Sequence, residues 1–234
     1  MTVGLCFHRD GRCFAADMMS GCIRVLSAEG EVLDTIDLTW EGARLKPDCM
    51  VFRGGDLYFT DLRGTFWNRI GGVYILTQAS GYHEIVRYLG DLASPDGITF
   101  APDGRSLWIS ERSSNAVYRF LLGPDGRPRI AQHTPVPAFR NGGCSNVDTH
   151  AMDREGNIYL GIMMGGRAVI LDADGIPLAN VLVPGFEEGK LRYSPNLALK
   201  ADACEGYLLA SDAERAVVLR FPTLAPGQPL FATE

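Results

Sequence analysis

Residues 48–61 read DCMVFRGGDLYFTD, which is an apolar strand, a glycine turn and a second apolar strand that ends in an acidic residue. Five segments of the 234-residue chain share this pattern, with either a small or an acidic residue at the end of the second strand. Their second strands are expected at residues 12–17, 56–61, 105–111, 157–161 and 206–212. Their first strands enter at residues 3, 48, 96, 148 and 196, which are 45 to 52 residues apart. A supersecondary unit that recurs at such a spacing is typical of a repeat fold.

A glycine precedes or opens each second strand, in the pairs 10–11, 54–55, 103–104, 155–156 and 205–206. Glycine provides the positive φ that a tight hairpin requires. Third strands are expected at residues 22–26, 116–120 and 167–171, and further glycine turns at 29–30, 125–126 and 174–175 follow them. Residues 229–233 are expected to form the last strand of the last unit. The pattern predicts one all-β domain over residues 1–234, a β-propeller of four-stranded antiparallel blades with five blades visible and very little helix.

Composition narrows the class of protein. The net charge is −6 and the sequence pI is near 5.3, so we expect no nucleic-acid partner. We find neither the pattern of a signal peptide at the start nor an apolar run long enough for a membrane span, which predicts a cytoplasmic protein with no membrane partner. Six cysteines without a C-x-x-C pair indicate free thiols in a reducing compartment.

One position recurs at the start of the first strand of every unit. Alignment of the five units places Val3, Asp48, Asp96, Asp148 and Asn196 there. Because the innermost strand of each propeller blade lines the central channel, three carboxylates and an amide oxygen are expected to converge. A divalent cation would offset their repulsion, with Ca²⁺ as the first expectation and Mg²⁺, Mn²⁺ and Zn²⁺ as alternatives. The structural alternative is that each aspartate only caps a turn.

The resemblance to a known family rests on three stretches, residues 48–64 with 71–74, residues 95–111, and residues 147–159 with 165–169. They resemble blades of bacterial calcium-dependent lactonases of the senescence marker protein/gluconolactonase/luciferin-regenerating enzyme family, which has six blades. The resemblance implies that Asp48 and Asp148 bind metal, that Asp96 replaces a ligand asparagine, and that Asp148 is also the catalytic acid–base residue. Thr149 stands where the family has serine or glycine.

The front of the chain departs from the family pattern. Residues 1–40 match the second blade best, so the first blade with its ligand glutamate is apparently missing, and Val3 has no donor atom. Three explanations are open: a start that omits the first blade, a naturally shortened ring of five blades, or a ring completed by a partner subunit. The last explanation would make the protein a homo-oligomer.

The expected substrate is a small-molecule lactone or related ester, whose hydrolysis the bound ion would promote by polarising the carbonyl. Candidate substrate-binding residues are Thr149, His150, Asn196 and Arg63. Strand alternation predicts that His150 points to the same side as Asp148, and Arg63 begins an insertion that could shape a pocket. A buried core histidine and an ordinary turn asparagine are the structural alternatives.

Other enzyme classes lack support, because the chain has no Gly-x-Ser-x-Gly elbow, no phosphate-binding glycine loop and no zinc-protease helix motif. A non-catalytic ligand-binding propeller that lost activity with the first-blade glutamate is the main alternative function. Use of the same metal site on another electrophile, such as a phosphotriester, is a further alternative.

Overall fold

The computed structural model describes residues 2–129 and 137–231. The chain divides into two compact units, one formed by Met1–Ile98 with Pro229–Glu234 and one by Thr99–Gln228. Nearly all regular structure in the described residues is β-strand, and the exception is a 3-10 turn at Gln78–Ser80.

Two four-stranded antiparallel sheets belong to the first unit. The first sheet has the order β1-β2-β3-β4, with β1 at Thr2–Phe7, β2 at Cys13–Asp17, β3 at Cys22–Leu26 and β4 at Val32–Asp37. A two-stranded ribbon follows, with β5 at Thr39–Trp40 and β6 at Ala43–Arg44. The second sheet has the order β10-β9-β8-β7, with β7 at Pro47–Arg53, β8 at Asp56–Asp61, β9 at Gly71–Leu76 and β10 at Ile85–Leu92.

Three further sheets complete the described fold. The third has the order β11-β12-β13-β14, with β11 at Pro95–Phe100, β12 at Ser106–Glu111, β13 at Ala116–Leu121 and β14 at Pro137–Arg140. The fourth has the order β15-β16-β17-β18, with β15 at Asn146–Met152, β16 at Ile158–Met163, β17 at Arg167–Leu171 and β18 at Pro177–Leu182. The fifth has three strands, β19 at Leu197–Leu199, β20 at Glu205–Ser211 and β21 at Ala216–Pro222. The boundary between the two units falls inside β11.

The predicted glycine turns form in four of the five units. Gly11, Gly55, Gly104 and Gly156 have φ values of +91°, +91°, +67° and +89°. The prediction for the fifth unit is wrong, because β20 already begins at Glu205 and Gly206 pairs with Phe221 inside the sheet. A β-carbon at Gly206 would lie 2.4 Å from the Phe221 ring, so this glycine makes room for an aromatic side chain.

The core of the first unit is rich in aromatic rings. Phe14, Phe52 and Tyr82 surround the buried His8, and their ring centroids lie 5.2 to 6.4 Å from that of His8. Phe231 completes this cluster, with its ring centroid 4.9 Å from that of His8. The prediction of a strand at residues 229–233 is therefore wrong for 229–231, because Phe231 packs into this cluster instead of pairing in the fifth sheet. Residues 232 and 233 lie outside the described part of the chain.

The second unit has aliphatic cores. Its fourth sheet buries Val147, Ile158 and Leu160 against Trp108. A separate cluster joins Tyr159 and Ile170 of the fourth sheet to residues of the fifth, including Leu208 and Phe221. The fourth sheet is thus held by apolar contacts on both faces, as stacked blades require.

The structure confirms the predicted all-β fold of successive antiparallel blades, five in number. No helix in residues 2–129 or 137–231 combines the length and apolar character that crossing a membrane requires.

Candidate functional site

A β-bulge marks the start of the first strand in several blades. The pairing register shifts between Thr2 and Gly4 in β1, between Pro47 and Met50 in β7, and between Val147 and His150 in β15. A bulge inserts an unpaired residue and turns its side chain away from the ordinary alternation of a strand. The aligned residues Val3, Asp48 and Asp148 all lie within these bulges, so the position chosen from the sequence is a shared feature of the backbone.

The structure brings Asp48 and Asp96 together in the first unit, as the sequence predicted. Both side chains are buried. Cys49 joins them: one ligand atom from each of the three residues lies within 4.8 Å of the other two, and the Cys49 Sγ is 3.4 Å from Asp96 Oδ1. Among the described residues this is a group that could hold a metal ion, and sequence reasoning missed its cysteine.

Thr60 on β8 fixes the backbone of this cluster. Its hydroxyl donates a hydrogen bond to the Asp96 carbonyl at 2.7 Å and accepts one from the Cys49 N–H at 3.1 Å. Thr60 is fully buried, so these hydrogen bonds are shielded from water. The sequence signal for this residue is the small residue near the end of the second strand of a unit, as in Thr60 and Ser110.

Arg63, predicted to bind substrate, forms an ion pair within the first unit. Its Nε lies 2.8 Å from Oδ2 of the fully buried Asp61. Burial raises the pKa of Asp61, while the N–H of Lys46 and the Arg63 guanidinium act in the opposite direction. Arg63 therefore has a structural partner, and contact with substrate remains a prediction.

Asp148 lies in the second unit and is buried. Burial raises the pKa of its carboxyl to about 6, although the Arg112 guanidinium, with Nε 3.9 Å from Oδ2, and the Thr149 N–H, 3.1 Å from Oδ1, favour the ionised form. A carboxyl whose pKa is close to neutral can both accept and return a proton near pH 7. Its environment suits general acid–base chemistry.

Ser110 holds the backbone of Asp148 in the same way that Thr60 holds the backbone of Asp96. The Ser110 hydroxyl donates a short hydrogen bond to the Asp148 carbonyl, and Ser110 is fully buried on β12. In both cases a hydroxyl near the end of a second strand holds the backbone of the aspartate that starts the next first strand. This recurring contact positions each aspartate.

Thr149 and Asn196 lie close in the fold of the second unit. The Thr149 hydroxyl donates to the carbonyl of Pro195 at 2.7 Å, and the Asn196 carbonyl accepts from the N–H of Leu209 on β20. The Thr149 side chain is thus engaged with the backbone immediately before Asn196. Their contact with substrate also remains a prediction.

His150 is a buried residue whose ring nitrogens make no hydrogen bond of good geometry. Burial lowers its pKa to about 4, and the nearby backbone of Trp108 opposes this only in part, so the ring is neutral at pH 7. The bulge between Val147 and His150 breaks the alternation from which a shared side with Asp148 was predicted. The strand position of His150 therefore does not place it on the side of Asp148, and its contact with substrate stays a prediction.

Solved structures similar to this chain share its fold. A gluconolactonase from Xanthomonas campestris is 22% identical with a TM-score of 0.68, covering 90% of this chain and 69% of that one. Regucalcin from Agrobacterium tumefaciens, a calcium-binding protein, is 15% identical with a TM-score of 0.61, covering 99% of this chain and 93% of the other. At these identities the likeness supports the fold alone.

Curated relatives extend the comparison to sequence. Lactonase drp35 of Staphylococcus aureus (strain MW2) is 26% identical over 211 residues, which are 88% of this chain. The match covers 64% of that relative, so this chain spans less than two thirds of its length. The model of the SMP-30/gluconolactonase/LRE-like region matches residues 40–188, well over half of the chain. The fold, the relatives and this match together establish that the chain belongs to the SMP-30/gluconolactonase/LRE-like family.

Proposed function

We propose that this chain is a metal-dependent hydrolase that opens a small lactone or a related ester. The observation that carries the proposal is the approach of Asp48 and Asp96 within one group of potential ligands, at positions where the family resemblance expects metal ligands. Relatives named as lactonases support the substrate class. The family alone would not fix the reaction, since one fold supports several activities.

Three aspartates have roles in this reaction. Asp48 and Asp96 would hold a divalent ion, and the resemblance makes Asp148 a further ligand and the acid–base residue. When bound, such an ion supplies Lewis-acid polarisation of a carbonyl. Asp148 accepts a proton from the attacking water and returns it to the ring oxygen that leaves, so that lactone and water give a hydroxy acid. Arg112 keeps Asp148 partly ionised near neutral pH.

The remaining side chains of the proposal orient the substrate. Thr149, His150, Asn196 and Arg63 are the candidate contacts. Because His150 is neutral and buried, it would offer a hydrogen bond without adding a charge. Arg63 would have to bind substrate while its Nε remains on Asp61.

The test measures the hydrolysis of gluconolactone and of simple γ- and δ-lactones. The signal is the proton that each hydrolysis releases into weakly buffered solution. We expect activity to disappear after chelation, to return with a divalent ion, and to fall at least about a hundredfold in Asp148→Asn. Asp91→Asn is the matched control, because the side chain of Asp91 is 93% exposed. Full activity in the chelated protein, or in Asp148→Asn, would exclude this mechanism.

Val3 favours a second candidate function. It stands within the β1 bulge, where a carboxylate would be expected in a complete ring of ligands, so the site has fewer acidic donors than its backbone could present. A ligand-binding propeller without turnover would bind lactones or hydroxy acids in calorimetry and show no proton release. The two functions are thus separable with the same protein sample.

A cytoplasmic location is part of the proposal. None of the six cysteines, all of which lie in the described residues, forms a disulfide, and two of them, Cys144 and Cys204, are exposed. Exposed free thiols persist in a reducing compartment. Cell fractionation with thiol labelling would check this location.

A homo-oligomer is also part of the proposal, in the case that a partner subunit completes the ring. Light scattering would report whether the protein forms one.

A further inference from the structure

The β7 bulge gives the proposed metal site a third donor. In a regular strand, neighbouring side chains point to opposite faces, so Asp48 and Cys49 could not both approach Asp96. The register shift between Pro47 and Met50 covers both residues. As a result, a carboxylate oxygen of Asp48, the Cys49 sulfur and a carboxylate oxygen of Asp96 lie within 4.8 Å of one another.

The separation of the donors fits one small ion. A zinc ion binds thiolate sulfur at about 2.3 Å and carboxylate oxygen at about 2.1 Å, so two such ligands at tetrahedral positions lie about 3.6 Å apart. The Cys49 Sγ and Asp96 Oδ1 are 3.4 Å apart. Little movement would be needed for both atoms to bind the same ion.

The backbone holds this arrangement in place. Thr60 bridges the Cys49 N–H and the Asp96 carbonyl through one hydroxyl. Because Thr60 has no exposed surface, the bridge is protected from competition with water. A preorganised ligand set of this kind costs less to order when an ion binds.

Calcium fits this donor set poorly. Ca²⁺ takes six to eight oxygen ligands and does not favour sulfur, whereas Zn²⁺ and Co²⁺ accept mixed sets of thiolate and carboxylate. We infer that Cys49 is a ligand of the proposed metal ion and that it shifts the preference of the site from Ca²⁺ to Zn²⁺-like ions. The inference rests on the metal site of the proposed function. When the sulfur binds, its proton passes to solvent.

The experiment is titration of the chelator-treated protein with Co²⁺, followed by absorption spectroscopy. We expect a near-ultraviolet sulfur-to-cobalt charge-transfer band that saturates at one ion per chain. The band should vanish in Cys49→Ser, and Zn²⁺ affinity should fall at least about tenfold while Ca²⁺ affinity does not fall. Cys204→Ser is the matched control, since Cys204 is an exposed cysteine outside the cluster, and it should keep the band.

A measurement without substitution covers the case in which Cys49→Ser does not fold. X-ray absorption of the zinc-loaded wild-type protein should show a sulfur neighbour at about 2.3 Å. A shell of oxygen and nitrogen only would overturn the inference on Cys49 while leaving the metal site standing. If Zn²⁺, Co²⁺ and Ca²⁺ all fail to bind, or bind equally to Asp48→Asn and Asp96→Asn, the metal site of the proposed function is wrong as well.

Discussion

Asp148 is a carboxyl group that folding makes harder to ionise. Its pKa rises from an ordinary value of 3.8 to about 6 because burial removes water, and Arg112 compensates only in part. The folded protein therefore holds this proton more tightly than the unfolded chain between about pH 4 and pH 6. The unfavourable contribution of Asp148 to stability is absent below that window, grows as the pH rises through it, and is complete above it.

We expect Asp148→Asn to stabilise the chelator-treated protein at pH 7.5, by about 1 to 3 kcal/mol, since the amide has no charge to bury. At pH 4 the variant and the wild type should have similar free energies of unfolding. Urea unfolding at both pH values measures the difference, and Asp91→Asn should show none of this pH dependence. A variant that is less stable than wild type at pH 7.5 would contradict the role of burial.

Part of the candidate site could be predicted, residue by residue, from the sequence. Asp48 and Asp96 could be predicted because their spacing matches the blade repeat, and repeats place equivalent residues at equivalent points. Cys49 and Thr60 could not, because the first depends on a bulge and the second on a hydrogen bond between blades. Neither feature leaves a periodic signal in one sequence.

Gly161 shows how closely the strands of the second unit approach one another. A β-carbon at this position on β16 would lie 2.2 Å from the carbonyl oxygen of Pro195. The same carbonyl accepts the hydrogen bond from Thr149. Glycine therefore leaves room for a backbone segment that also positions the neighbourhood of Asn196.

Gly161→Ala should destabilise the protein by about 1 to 3 kcal/mol, because the added methyl group must displace backbone atoms. Thermal unfolding followed by circular dichroism would measure this. Gly142→Ala provides the comparison, since a methyl group added at Gly142 would meet no heavy atom within 4 Å and the residue has no positive φ, so its midpoint should be nearly unchanged. Equal midpoints for the two variants would refute the close approach.

The bounds of a strand could be predicted where a glycine turn and an apolar run indicate the same end of the strand. The strands at 22–26, 56–61 and 167–171 were predicted with the bounds that the structure has. The fifth blade was predicted less well, because Gly206 serves packing against Phe221 and not a turn. A glycine in a strand and a glycine in a hairpin look alike until the partner strand is known.

At the scale of the whole molecule, the end of the described chain returns to the first unit. Phe231 packs against Phe52 with a centroid distance of 5.2 Å and against His8. Arg9 also lies over the Phe231 ring, with its guanidinium carbon 5.0 Å from the centroid. One C-terminal side chain thus completes the core formed by residues of the first two sheets.

Phe231→Ala should destabilise the first unit by about 2 to 4 kcal/mol, as expected for a large aromatic side chain removed from a core. Hydrogen exchange should become faster in β2 and β8, while β16 of the second unit changes less. Phe66→Ala is the matched control, because Phe66 is about half exposed in its loop. If both variants exchange alike, the ring of Phe231 does not support this core.

The number of sheets and their antiparallel order could be predicted from the sequence, since both follow from the repeat. The destination of residues 229–231 could not. Proline followed by apolar residues is compatible with an edge strand, and only the aromatic cluster around His8 explains why Phe231 packs elsewhere.

Val3 occupies the bulge in β1, whereas the equivalent bulges in β7 and β15 contain an aspartate. The geometry that aims a side chain is therefore independent of the chemistry it carries. Val3→Asp would add an oxygen donor at a bulge beside β7, where a β-carbon added at Gly4 would clash with the Asp48 carbonyl. A substitution at this position can thus change the chemistry of a blade while its backbone stays the same.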